Sequence, residues 1–224
     1  MSATTSILDT SLAELAVQHA DASRVFHRLG LDYCCGGRRP LAEACAERGL
    51  DPALVLAEVS AAGAETLSAE RWHERPLEDL VTHIVDFFHV RLRAELPELA
   101  ALARKVEARH ADKASCPRGL TAHVETIAAE LLPHMMKEEQ ILFPAIRAGW
   151  GPRALGPIRV MEAEHRDAAL QLERTRVLTN GLVAPAEACT SWQALYLRLD
   201  AFEAELMQHI HLENNVLFAR ALAA

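Results

Sequence analysis

The sequence predicts an all-α protein in which a small N-terminal helical domain precedes an up-down-up-down four-helix bundle. Half of the 224 residues are hydrophobic, and glycine and proline number only 10 each, which favours helices over sheets. The sequence lacks runs that alternate apolar and polar residues between turn signals, as strands do. Four long segments instead carry apolar residues at helical spacing, with Gly, Pro or Asn at the joints: 76–109, 118–147, 157–179 and 187–222.

The N-terminal part is predicted to contain four short helices whose ends are marked by capping residues. Ser11 and Glu14 form a capping box at the start of the first helix. Gly49 ends the third helix, and Asp51 with Pro52 begins the fourth as its cap and first residue. The chain is therefore divided into a helical domain at 1–62, a linker at 63–75 and the bundle at 76–224.

Charge and cysteine content limit the classes of function. The formal net charge of -8 argues against broad binding to nucleic acid or anionic lipid, since phosphate contact needs an excess of Lys and Arg. The N-terminal residues MSATTSILDT lack a basic start and a long apolar core, so we expect no secretory signal. We also expect no membrane span, because no uninterrupted apolar stretch of the sequence is long enough to cross a bilayer. An odd set of cysteines then predicts reduced thiols in a cytoplasm: Cys34, Cys35, Cys45, Cys116 and Cys189.

The seam of the bundle, formed by positions spaced alternately three and four residues apart, contains histidine and glutamate where apolar residues belong. The second segment gives Val124, Ile127, Leu131, His134, Glu138 and Ile141, the third gives Ile158, Met161, His165, Ala168 and Leu172, and the fourth gives Leu199, Phe202, Leu206, His209, Glu213 and Val216. HMMKEEQILFPA and HIHLENNVLFAR form a repeated cassette, because each places Leu-Phe at the same distance after a His-x-x-x-Glu pair. The paired side chains share one helical face.

The first segment offers a choice between His83 and His89. His83 falls on the side opposite the apolar stripe, whereas His89 continues the seam Val85, His89, Leu92, Leu96 and Leu99, so we choose His89. A single seam histidine is usually a hydrogen-bonded core residue. Two buried carboxylates among four histidines, however, cost several kcal/mol each unless cations balance them. A nitrogen and oxygen donor set without thiolates suits iron or manganese better than structural zinc.

The chain resembles the bacterial repair-of-iron-centres family, and its C-terminal part resembles the hemerythrin-like fold. The resemblance rests on HMMKEEQILFP, VMEAEH, HLENNVLF and the Asp-Tyr-Cys-Cys-Gly-Gly motif at 32–37, and it covers nearly the whole chain. It implies two iron ions, bridged by an oxo or hydroxo group and by the two glutamates, and a cytoplasmic homodimer. The implied iron ligands are the residues of the seams: His89, His134, Glu138, His165, His209 and Glu213.

The resemblance implies repair of iron–sulfur clusters damaged by oxidative or nitrosative stress, through iron donation, nitric oxide removal or both. The partners would be proteins with damaged clusters, with nitric oxide or oxygen as a small ligand. Two alternatives stay open. The same site could belong to a nitric oxide reductase or peroxidase, or to an oxygen or nitric oxide sensor, so whether the protein is an enzyme is undecided.

Three further features have competing interpretations. Cys34 and Cys35 are expected to be accessible thiols that Arg38 and Arg39 bias toward thiolate, with a redox or transfer role; a tight turn with small buried cysteines is the alternative. The other cysteines are expected to be packing or loop residues. His110 would either contact the ligands or line an entrance, or else be a surface histidine. Glu162 would be a further ligand, an acceptor for an imidazole N–H or a solvated residue, and we favour the last two.

Overall fold

The computed structural model describes residues 7–19, 21–65 and 72–224, and over these it contains eight helices and no strand. This confirms the predicted fold class. The N-terminal part contains a 3₁₀ turn, Ile7–Asp9, and then α1, Leu12–Gln18; α2, Ala22–Arg28; α3, Leu41–Arg48; and α4, Pro52–Glu65. The last of these helices continues into the segment that was expected to be a linker.

The capping residues act as the sequence indicates. Ser11 Oγ accepts from the Glu14 N–H at 3.2 Å, and the Glu14 carboxylate accepts from the Ser11 N–H at 3.1 Å, which completes the capping box of α1. The α3 helix ends at Gly49, whose φ of 65° is in the left-handed region that favours glycine. Asp51 Oδ1 accepts from the N–H of Ala53 at 2.8 Å at the start of α4.

The bundle consists of four helices, each of which packs against its two neighbours in chain order, with the fourth returning to the first. Their bounds differ from the predicted segments by at most three residues: α5, 77–109; α6, 120–147; α7, Leu155–Leu178; and α8, 190–223. Three of them contain a π-helical stretch: Ile84–His89 in α5, Glu138–Leu142 in α6 and Leu212–Leu217 in α8. Short joints and alternating directions agree with an up-down-up-down bundle.

The π-helical stretch of α6 corrects one predicted seam residue. Ile141 was expected in the seam, but its side chain is 57% exposed, whereas that of Leu142 is 1% exposed. A π-helical turn contains an extra residue, so the inward-facing position moves one residue along the chain. The other seam residues are buried, except the half-buried Val85 and Ala168.

The N-terminal helices pack directly on the bundle. The α1 helix contacts the π-helical stretch of α8, and α2 contacts the α-helical part of α8. Tyr33 is buried between them, with its ring 5.4 Å from the ring of His211. Arg220 of α8 donates to the backbone oxygens of Trp72 and Arg75 at 2.7 Å each, which holds the start of α5. None of the helices described here is long and apolar enough to cross a membrane.

Candidate metal centre

The structure brings all six seam histidines and glutamates to one place inside the bundle. His89 comes from α5 and His165 from α7, while α6 and α8 each supply a His-x-x-x-Glu pair. Each pair lies on one helical face because four residues make about one turn. All six side chains are buried, with no more than 4% exposed: His89, His134, Glu138, His165, His209 and Glu213.

The six residues form two clusters that share both glutamates. Cluster A contains His89 and His209, and cluster B contains His134 and His165; in each, the ligand atoms lie within 4.8 Å of one another. The two Nε2 atoms are 3.1 Å apart in cluster A and 3.0 Å apart in cluster B. Each pair of imidazoles therefore points at a common position.

Each carboxylate presents one oxygen to each cluster. Glu138 Oε2 lies 3.4 Å from His89 Nε2 of cluster A, and its Oε1 lies 3.4 Å from His134 Nε2 of cluster B. Glu213 Oε1 lies 3.0 Å from His209 Nε2, and its Oε2 lies 3.1 Å from His165 Nε2. This is the arrangement that two carboxylates bridging two cations require.

The buried oxygens fit metal ligation better than hydrogen bonding. Although the imidazole nitrogens are near, their geometry is not that of hydrogen bonds, and none of the four oxygens of Glu138 and Glu213 has a hydrogen-bond partner among the described residues. Donors that bind one ion at about 2.1 Å and at right angles lie about 3 Å apart, close to the separations in both clusters. Buried, unsatisfied carboxylates are costly, and cations at these positions would remove that cost.

Among protein groups alone, histidines balance the carboxylates. Burial would raise the pKa of Glu138 and of Glu213, but neighbouring imidazoles lower both pKa values, that of Glu213 well below its usual range. Burial would lower the pKa of His134, but Glu138 and Glu213 raise it to about 9. The pKa of His89 is raised in the same way, whereas burial lowers the pKa of His209.

These shifts predict proton release when metal binds. At about pH 7 the pKa of about 9 keeps His134 protonated, and only the deprotonated imidazole binds a metal ion. Titrating Fe(II) into metal-free protein without oxygen should therefore acidify a weakly buffered solution, and a pH indicator dye measures this. The release should shrink as the pH rises through about 9, where the imidazole is already neutral.

A pair of variants tests the source of these protons. His134→Gln should release fewer protons for each ion bound, because the titrating imidazole is gone. His123→Gln should match the unmodified protein, since burial lowers the pKa of His123, which hydrogen-bonds the backbone oxygen of Gln171 at 3.0 Å. Equal proton release from all three proteins would contradict the prediction.

Hydrogen bonds from outside the clusters orient three of the four imidazoles. His89 Nδ1 lies 2.7 Å from the Glu139 carboxylate, and His134 Nδ1 lies 2.8 Å from that of Glu164. His165 Nδ1 lies 2.8 Å from the amide oxygen of Asn214. In each case a proton on Nδ1 leaves Nε2 free to face the cluster. His209 Nδ1 is buried and has no hydrogen-bond partner in the described part of the chain.

Sequence reasoning missed these outer residues. Glu139 directly follows a seam glutamate and Glu164 directly precedes a seam histidine. This adjacency was the only signal in the sequence that could have indicated a contact with the imidazoles, and the prediction did not include it. Glu162, which had been considered for an outer contact, is half-buried and belongs to neither cluster.

His110 does not belong to the metal centre. It follows α5, 21 residues beyond His89, which corresponds to about 30 Å along a helix. Its side chain is buried, its Nε2 lies 3.2 Å from Cys189 Sγ, and its ring packs on Trp192. The expectations of an entrance residue and of a surface histidine were both wrong.

A cavity of about 450 Å³ reaches the clusters from the side of α6 and α7. Its inner wall includes three candidate ligands: His134, His165 and His209. Apolar side chains such as those of Leu131, Leu172 and Leu206 line much of the rest, and Lys137 and Glu164 also contribute. The cavity could admit a small uncharged molecule to the centre.

The dithiol loop, residues 32–37, lies against cluster B. Asp32 organises it, because the Asp32 carboxylate accepts from the N–H groups of Cys34, Cys35 and Gly36 at 3.2, 2.9 and 2.8 Å. The two Sγ atoms are 3.8 Å apart. Cys35 Sγ lies 3.4 Å from the backbone oxygen of His165. The loop is therefore in contact with a candidate metal ligand.

The expectation of two accessible thiols biased toward thiolate was wrong for Cys34. Cys34 is buried, and its hydrogen bond to Cys35, burial and Asp32 together raise its pKa well above the usual value. Arg39 pairs with Glu47 and donates to the backbone of Gly36 instead of neutralising a thiolate. Cys35 is half-buried. Among the other cysteines, Cys45 and Cys116 are buried, as packing residues are, and Cys189 is exposed next to α8.

The chain matches two family models over separate parts of its length. Residues 80–221 match the hemerythrin HHE cation binding domain, and residues 8–63 match the ScdA N-terminal model, which is described as a domain of unknown function. The iron–sulfur cluster repair protein YtfE of Musicola paradisiaca is 49% identical over 214 residues, which cover 96% of each chain. Proteins of the same name from Pectobacterium atrosepticum and Escherichia coli are 47% and 46% identical, covering 96% of this chain and 97% of theirs.

Proposed function

Because the chain belongs to the family of iron–sulfur cluster repair proteins that combine these two domains, we propose that it repairs iron–sulfur clusters damaged by oxidative or nitrosative stress. Repair would proceed by iron donation, by nitric oxide removal or by both. The resident cofactor would be two iron ions with an oxo or hydroxo bridge. The partners would be proteins with damaged clusters, and nitric oxide or oxygen would be the small ligand.

One observation carries this proposal: each of two buried glutamates presents one carboxylate oxygen to the imidazoles of cluster A and the other oxygen to those of cluster B. His89 and His209 would hold one iron ion, and His134 and His165 would hold the other. Glu138 and Glu213 would contact both ions and offset their charge. When bound, iron supplies redox chemistry, a binding position for nitric oxide and a store of exchangeable metal.

The surrounding residues support ligand access and exchange. The largely apolar cavity lets a small uncharged molecule approach His134, His165 and His209 while the bundle keeps bulk water from the shared carboxylates. Glu139 and Glu164 hold imidazole protons on Nδ1, which orients two ligands. Six protein ligands for two ions leave coordination positions unfilled by protein, which favours binding of small ligands and loss of iron.

Protein purified without oxygen should contain two iron ions per chain, visible in Mössbauer spectra that change when nitric oxide is added. Adding this protein to a hydro-lyase whose [4Fe–4S] cluster has been damaged by nitric oxide should restore hydro-lyase activity. A metal-free sample and a sample of free Fe(II) at the same iron concentration are the controls. Restoration that is no better than with free Fe(II) would contradict iron donation by the protein.

The same samples separate repair from the enzymatic alternative. A nitric oxide reductase would form nitrous oxide over many turnovers at each site, whereas stoichiometric consumption of nitric oxide agrees with repair.

We also propose a cytoplasmic homodimer, as the family resemblance implies. Light scattering on the iron-loaded protein tests the dimer, and a mass of 24.6 kDa, that of one chain, would reject it.

A further inference from the structure

Asn214 joins a candidate metal ligand to the dithiol loop. Its amide oxygen accepts from Nδ1 of His165 at 2.8 Å, and its amide nitrogen donates to the backbone oxygen of Cys34 at 3.3 Å. Nearby, Cys35 Sγ lies 3.4 Å from the backbone oxygen of His165. The loop therefore contacts His165 both through an amide bridge to its ring and directly at its backbone.

Only one orientation of the Asn214 amide satisfies both neighbours. The backbone oxygen of Cys34 only accepts, so a turned-over amide would place oxygen against oxygen and lose that hydrogen bond, whichever tautomer His165 adopts. The observed orientation requires a proton on His165 Nδ1 and so directs Nε2 to cluster B. The bridge consequently fixes the tautomer of His165 and the position of the Cys34 carbonyl together.

Both ends of the bridge are held in place. Asn214 follows Glu213 in the π-helical stretch of α8, so its backbone position is fixed with that of a candidate ligand. At the other end, Asp32 holds three N–H groups of the loop. Asn215 also donates to the backbone oxygen of Cys34, at 3.3 Å, but it does not contact a cluster imidazole. A movement of the loop would therefore displace the Asn214 side chain or break its hydrogen bond to the Cys34 oxygen.

The bridge reaches only one of the two clusters. In cluster A, His89 forms a hydrogen bond with Glu139, and Glu139 forms an ion pair with Arg93 at 2.8 Å. The other imidazole of cluster A, that of His209, has no hydrogen-bond partner at Nδ1 among the described residues. In cluster B, His134 is bound by Glu164, which pairs with Lys137. Within the described structure, His165 is the one cluster imidazole joined through a side chain to the N-terminal part.

We propose that Asn214 is a positioning residue through which the dithiol loop controls retention of the metal ion at cluster B. This inference rests on the proposed function, since it concerns iron bound by His134 and His165. Displacement of the Cys34 carbonyl, for example when a client protein docks on the loop, breaks the bridge and frees the ring of His165 to rotate. Because coupling is reciprocal, a metal ion that fixes His165 also restrains the loop.

Three variants separate the two halves of the bridge. Asn214→Leu removes both hydrogen bonds. Asn214→Asp keeps an acceptor for His165 Nδ1 but loses the donor to Cys34. Asn215→Leu is the matched control, because it removes a contact to the loop and leaves His165 untouched.

The first measurement is iron transfer from loaded protein to an excess of a ferrous chelator. One of the two ions should leave Asn214→Leu about ten-fold faster than it leaves the unmodified protein, as is typical when the hydrogen-bond partner of a ligating histidine is lost. Asn214→Asp should also release this ion faster than the unmodified protein, because the loop no longer holds the residue that orients His165. Asn215→Leu should release iron at the unmodified rate. Release of both ions from Asn214→Leu at the unmodified rate would overturn the proposal.

The second measurement is alkylation of Cys35 by N-ethylmaleimide, followed by peptide mass spectrometry with and without iron. Iron should slow the reaction in the unmodified protein by about five-fold, a small allosteric coupling. In both Asn214 variants iron should have no effect, since each has lost the bond to the loop. Cys189 serves as an internal reference, because it is exposed and lies 20 residues before His209, directly ahead of α8. Its alkylation should not depend on iron.

The outcomes distinguish this inference from the function on which it rests. If the unmodified protein binds no iron, both are rejected. If it binds two ions but the Asn214 variants keep the effect of iron on Cys35, only the inference is rejected. Should Asn214→Leu fail to fold, the nearly isosteric Asn214→Asp decides the matter through the alkylation measurement.

Discussion

Replacing both Glu138 and Glu213 with glutamine should abolish tight iron binding while the bundle remains folded. Each cluster would keep two imidazoles and lose both anionic donors that it shares with the other cluster. The loss of affinity should exceed the 100-fold or so that follows removal of a hydrogen-bond partner of a ligand. Metal analysis of protein loaded with Fe(II) without oxygen and then desalted measures the effect.

The bundle should survive because the two carboxylates do not stabilise it by hydrogen bonds. Their four oxygens have no hydrogen-bond partner within the described structure, and both side chains are fully buried. Neutral amides of the same size reduce the desolvation cost. Far-ultraviolet circular dichroism should therefore remain helical. Two tightly bound iron ions in the double variant would contradict the assignment of these glutamates.

Glu203 provides the matched control. It is also a buried glutamate of α8, but Arg176 donates to both of its oxygens, at 2.7 and 3.0 Å. Glu203→Gln should keep full iron binding, because Glu203 belongs to neither cluster. Its stability should change little, because burial raises the pKa of Glu203 and a neutral amide reduces that desolvation cost while it still accepts from Arg176.

The fold and the inner residues of the site could be predicted because both follow from local spacing. Histidine and glutamate at seam positions must face the bundle axis whatever the details of the joints. The register could not be predicted throughout, as Ile141 demonstrates. A π-helical stretch depends on how the helix packs around the site rather than on a recognisable local signal, and apolar spacing assumes a uniform α-helix.

Contacts between distant parts of the chain account for the other failures. Glu139 reaches His89 across 50 residues, and Asn214 reaches Cys34 across 180, so no local pattern pairs them. The charge near the thiols was misjudged because adjacent arginines were assumed to be the nearest ions. In the folded loop the Asp32 carboxylate is next to Cys34, and Arg39 turns toward Glu47.

Removing iron from the unmodified protein should lower its thermal stability. A ligand that binds only the folded state contributes about 4 kcal/mol when its free concentration is a thousand times the Kd. For a chain of this length each kcal/mol corresponds to about 2–4 °C, so the melting temperature should fall by roughly 10 °C. Scanning calorimetry of the iron-loaded and chelator-treated protein measures the difference.

The double variant Glu138→Gln with Glu213→Gln makes this experiment specific to the site. Its melting temperature should be unaffected by iron, because each cluster has lost both anionic donors that it shares with the other cluster. Iron should therefore raise the melting temperature of the unmodified protein and leave that of the double variant where it is. A double variant that iron stabilises as strongly as the unmodified protein would contradict the assignment of Glu138 and Glu213 as ligands.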